Sequence, residues 1–173
     1  MQIEVVLQSQ FHAALAMLKQ TVELCPDDVW TAPTATRPFW HISYHVLFYT
    51  HLYLSPTGAD FTAWELHRPN YNYLGVTPRS EHRMEEINQP YTRDEILTYL
   101  SFCKNEIDTR IQDIDPDAPS GFDWIPFNKL ELMLYNLRHL QHHTGELGDR
   151  LGQQGISLNW IGQDPKRNND RSG

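Results

Sequence analysis

Cysteine is scarce: Cys25 and Cys103 are the only two in 173 residues. Each falls near an apolar helical face with no second thiol close enough to make a metal pair, so both read as buried thiols. Positive charge is also in deficit. Lys and Arg number 14 against 22 Asp and Glu, a formal net charge of −8. Most non-specific affinity for nucleic acid comes from neutralising phosphates with Lys and Arg, so this balance works against a nucleic-acid partner. Long apolar runs are missing as well, since no stretch reaches the roughly 18 residues that a membrane span needs. The N-terminus lacks a basic region followed by an apolar run. The expectation is a cytoplasmic protein with neither a nucleic acid nor a membrane as partner.

What remains is the composition of a folded domain: 40% hydrophobic, 21% charged and 12% aromatic, with five Trp. A chain of this size can bury a core without disulfides and fits one domain. Leu7, Phe11, Ala14, Leu15, Leu18 and Val22 recur at three- and four-residue intervals, which predicts a first helix over residues 3–25. Pro26, Asp27 and Asp28 end it, and a loop is expected through Pro38. The segment FWHISYHVLFYTHLYL, residues 39–54, is apolar on most sides and reads as a second, central helix. Residues 56–90 carry Pro56, Gly58, Pro69, Gly75, Pro78 and Pro90 and hold no helical period. A connection of that length covers a functional site or joins parallel helices at opposite ends of a bundle.

Thr92 and Glu95 make a capping-box pattern ahead of Ile96, Leu97, Leu100, Cys103, Ile107 and Ile111, which gives a third helix to about Ile114. After a loop from Asp115 to Gly121, the series Leu130, Met133, Leu137, Leu140, Leu147 and Leu151 marks a fourth, ending near Gly152 or Gly155. The prediction is an all-α four-helix bundle over residues 1–162, followed by a polar, flexible tail over 163–173.

Nine histidines are many for this length. His139 and His143 stand one helical turn apart on the same face, where two imidazoles can point at one atom. The sequence there reads HLQHH, without the Glu of the HExxH protease signature, so metalloprotease chemistry does not follow. His45 lies in the middle of the most apolar helix, where an unpaired imidazole is costly to bury. His41 stands one turn before it.

The segments ISYHVLFYTH and RHLQHHTGEL resemble the DinB-like superfamily of four-helix bundles, in which an apolar helix carries one ligand His and a later helix a His-x-x-x-His pair. Carried over by position, the resemblance implies metal ligands His45, His139 and His143. It further implies an up-down-down-up topology with a long crossover between the second and third helices, and homodimerisation. A second helix apolar around so much of its circumference also needs a partner or the long connection to cover it. The implied cofactor is a divalent metal ion, zinc or nickel foremost, although imidazole also suits copper and iron.

The implied function is a metal-dependent hydrolase or a thiol-dependent transferase acting on a small molecule. The alternative is a non-catalytic binding or sensing module whose metal is structural or absent and whose 56–90 segment recognises a partner. No residue beyond the ligands is named as acid or base. His41 either joins as a fourth ligand or caps the helix entrance near Trp40. His142, about 60° and 100° around the helix from the two ligands, is assigned to their support or to the surface. His51 is expected to face solvent or a loop carboxylate, and His12, His67 and His82 have no helical partner at metal spacing. Tyr44, Tyr49, Trp40 and Trp64 are expected in the core, though they can also line a pocket. Glu146 can support His143 or pair with Arg150, and the surface pair is the expected role.

Overall fold

The apolar spacing of residues 3–24 becomes helix α1, Ile3–Leu24, in the computed structural model, which describes residues 2–32, 37–75, 87 and 89–166. Its end is set by Pro26: the residue before a proline is driven out of the helical region, and Cys25 is extended at φ −65°, ψ 123°. The sequence reading expected loop from here to Pro38. Instead Asp27–Trp30 forms one further helical turn, α2, with Asp27 and Asp28 at its positive end. Burial of Trp30 holds the turn in place, its indole N–H donating to the Tyr91 carbonyl at 2.9 Å. Such a long-range anchor has no local sequence signal.

Helix α3, Phe39–Leu54, is buried nearly all round. Only His45, Tyr49 and Leu52 escape full burial, and their i, i+4, i+7 spacing makes them one stripe. The crossover covers much of the rest of the helix. Phe61 packs on Phe48 and His51, the Tyr44 hydroxyl meets His67 Nδ1 at 2.6 Å, and the Tyr71 carbonyl accepts from His41 Nε2 at 2.9 Å. Of the two ways foreseen to cover this helix, the connection provides one. Its described residues form no helix.

Helix α4, Arg93–Ile111, starts at the expected capping box: Thr92 accepts from the Glu95 N–H at 3.2 Å while Glu95 accepts from the Thr92 N–H at 2.7 Å. Helix α5, Lys129–Gly152, is capped by Asn128, which accepts from the Glu131 N–H at 2.9 Å. The loop before α5 is pinned to the start of the crossover at Gly121. Its φ is +87°, and a β-carbon there would lie 2.0 Å from the Pro56 carbonyl oxygen, so only glycine fits.

Among the described residues the protein is all-helical, and α1 and α3 each pack against both α4 and α5. Phe11, Leu15, Leu18, Leu47, Ile96, Ile107, Leu132, Leu140 and Leu147 share one core. Burying a side chain of this size contributes roughly 1.5–3 kcal/mol. Residues 153–166 run back along α1: Gln20 exchanges hydrogen bonds with the backbone of Asn159, and the Asp164 N–H donates to Ser9 at 3.2 Å. The expected flexible tail begins at 163, yet 163–166 lies within this segment, and the rest of the tail is outside the described residues. No helix among the described residues is long and apolar enough to cross a membrane.

Candidate metal centre

The partly buried stripe of α3 faces α5 at His139 and His143, and three imidazoles meet there. Ring centroids lie 5.1 Å apart for His45 and His139, and 4.8 Å apart for each of the other two pairs. One ring nitrogen from each histidine falls within 4.8 Å of the others. His45 Nε2 and His139 Nε2 are 3.1 Å apart.

Hydrogen bonding decides which nitrogens are bare. His45 Nδ1–H donates to the backbone carbonyl of Asn72 at 2.6 Å; a carbonyl only accepts, so the proton of the neutral ring sits at Nδ1 and Nε2 keeps its lone pair. His143 Nδ1–H donates to Glu146 Oε2 at 3.1 Å, and Arg150 braces the other oxygen of that carboxylate at 2.9 Å. Glu146 thus fills both roles weighed for it. His139 Nδ1 is buried with no partner among the described residues.

Burial pulls the pKa of His45 down to about 3, aided by His139 and His143 and opposed by the Asn72 carbonyl. Burial likewise takes His139 to about 4 and lowers His143 against the pull of Glu146. All three rings are therefore neutral at neutral pH, as metal ligation requires. The donor set fits a divalent ion. A tetrahedral zinc with Zn–N near 2.0–2.1 Å wants ligand nitrogens roughly 3.4 Å apart, close to the spacing seen for His45 and His139. Two bare Nε2 atoms 3.1 Å apart would repel unless a proton or a cation stood between them.

The other histidines lie elsewhere. His41, 1% exposed, is stacked on Trp40 and tied to the Tyr71 carbonyl, which puts it outside the cluster. Exposed His142 touches the ring of His143 and forms a second potential ligand group with His143 and Glu146. That group shares His143 with the first, and Glu146 already accepts from His143 Nδ1–H. His51 does not face solvent: it is 4% exposed, within 3.2 Å of the Tyr99 hydroxyl, because the crossover and α4 close over that side of α3. His12 is buried on α1 and bonded to Asp108 at 2.6 Å. His67 sits under Tyr44, and His82 is outside the described residues. Trp40, Tyr44 and Trp64 are core, whereas Tyr49 packs on both His45 and His139 and walls the centre.

Sequence reasoning missed Asn72 because its carbonyl acts and no side-chain identity announces that. It also passed over Tyr135 and Arg138, which line a cavity of about 210 Å³ with His139 and His142. The i, i+3, i+4, i+7 stripe they share with the histidines was the available signal.

The fold and the cluster define an all-helical protein with three convergent neutral imidazoles. The chain belongs to the DinB superfamily, whose sequence profile matches residues 10–147, a span holding all three histidines. No curated protein and no solved structure matches it.

Proposed function

We propose that His45, His139 and His143 hold one divalent metal ion, zinc or nickel foremost, and that the protein is a metal-dependent hydrolase or thiol-dependent transferase of a small molecule. The observations that carry this reading are the tautomer lock, in which Asn72 and Glu146 each hold a proton at Nδ1 and leave Nε2 without one, and the approach of one ring nitrogen of each of the three histidines to within 4.8 Å of the others. When bound, such an ion supplies Lewis acidity, with coordination positions that three ligands leave open to substrate. The residues do the rest. Burial keeps the imidazoles unprotonated, Glu146 and Arg150 hold the His143 ring in place, and Tyr49 limits access of water to His45 and His139.

The long helices are proposed to run up-down-down-up. Gln8 and His12 meet Asp108 while Arg93 meets Val22, which supports antiparallel α1 and α4. Tyr44 beside Tyr99 and Leu47 beside Cys103 support parallel α3 and α4, and His45 beside His143 with Tyr53 beside Tyr135 supports antiparallel α3 and α5. The two helices that the crossover joins are then parallel, as a long link permits. A homodimer remains a proposal from the family resemblance, and sedimentation at tens of micromolar, an order-of-magnitude range for specific association, tests it.

The deciding experiment is elemental analysis of untagged protein beside calorimetric zinc titration of the parent and His139→Ala. Stoichiometric metal in the parent and its loss in the variant are expected. Equal zinc affinity in the two would sink the site. A metal-free parent that binds zinc weakly would favour the non-catalytic binding or sensing reading.

A further inference from the structure

We propose that Arg138 forms an anion subsite beside the histidine cluster and that the small-molecule substrate is an aromatic carboxylate, its acid group on Arg138 and its ring against Tyr135. The inference rests on the cluster being the reacting centre. Its own basis is the state of the arginines. Arg68 pairs with Glu95, Arg93 with Asp27, Arg110 with Glu106 and Arg150 with Glu146, while Arg37 donates to the Leu74 carbonyl. Arg138 differs from all of these. Among the described residues it makes no ion pair and no hydrogen bond, in a chain of net charge −8 that offers many carboxylates.

Its guanidinium is placed all the same, 5.4 Å from the centre of the Tyr135 ring. A cation held over an aromatic face keeps the N–H edge of its fork free, and that edge matches a carboxylate in two parallel hydrogen bonds. Arg138 and Tyr135 line the same cavity as His139 and His142. At about 210 Å³ the cavity is smaller than the roughly 300–1,000 Å³ of drug-sized pockets, which suits a ligand of one ring and one acid group. The arrangement would hold the anion at one end of the ligand and present its remainder to the histidines.

The test uses benzoate and its neutral isostere benzamide, titrated into metal-free protein at about pH 8, where ordinary imidazoles are uncharged. The ring resonances of Tyr135 and His139 are followed by NMR. Benzoate should bind at least about tenfold more tightly, the size expected of hydrogen bonds to a charged group. Arg138→Gln should abolish the preference, and Arg110→Gln should keep it. In parallel, Arg138→Gln should bind zinc within about threefold of the parent, because Arg138 is not a ligand. Benzamide binding as tightly as benzoate, or a preference that survives in Arg138→Gln, overturns the subsite. Loss of zinc binding by the parent with the preference intact would instead overturn the metal reading alone.

Discussion

Helix α3 carries three histidines with lowered pKa values, and two of them, His45 and His51, lie on different faces with opposite surroundings. His45 gives one nitrogen to a carbonyl and turns the other toward two more imidazoles. His51 meets the Tyr99 hydroxyl at 3.2 Å and lies in an aromatic cage, with Phe61 at 4.9 Å and Phe102 at 4.8 Å. Burial moves both down the pH scale, to about 3 for His45 and about 4 for His51. A depressed histidine therefore does not mark a site. Convergence of ring nitrogens marks the candidate, and of these two faces only that of His45 has it.

The largest expected effect separates the two faces by metal affinity. His45→Ala or His143→Ala should weaken zinc binding by more than about 100-fold, since loss of a supporting partner alone typically costs 10–100-fold. His51→Phe should leave it unchanged, as read by calorimetry. Zinc affinity that falls equally in His51→Phe would erase the distinction between the faces.

Acid stability should respond to His51 even though zinc affinity does not. The unfolded chain takes up a proton on His51 below about pH 6.5, while the folded protein keeps that ring neutral to about 4. The contribution is fully present above pH 6.5 and declines as pH falls toward 4, by up to about 3 kcal/mol. Glu106 and Arg110 of α4, with Asp60 and Glu65 of the crossover, line the same cavity as His51. Their charges bear on the slope, so the comparison must be made at constant ionic strength. Urea melts of the parent and His51→Phe between pH 7 and 4 should diverge in slope, and identical slopes would remove His51 as a cause.

A smaller effect sharpens the His45 face itself. Glu146→Ala should cost about tenfold in zinc affinity by releasing the His143 ring, the lower end of what supporting partners contribute. An unchanged affinity would return Glu146 to the surface pair with Arg150 that its spacing first suggested.

Much of this was legible in the sequence because it is local. The helices declared themselves through apolar spacing, α4 through Thr92 and Glu95, and the His139–His143 pair through its interval of four. The errors are equally physical. Helix α3 is apolar on nearly every side, so its pattern did not say which way His51 faced. The α2 turn depends on a bond from Trp30 to the Tyr91 backbone, 61 positions away. His12 and Asp108 meet across two helices, a pairing that no interval within one helix can disclose.

The approach of His45 to His139 spans 94 positions of chain. Closing a loop of that length in a disordered chain costs about 4 kcal/mol beyond a constant, by the logarithmic growth of loop entropy. His139 and His143, one turn apart, need almost no closure. On the proposed ligand set, the unfolded chain would hold two donors close in sequence at little cost and gain the third only when α3 and α5 have docked. An ion entering early would bind the α5 pair loosely and then fasten the two halves of the chain when His45 arrives, tying its tight retention to completion of the fold.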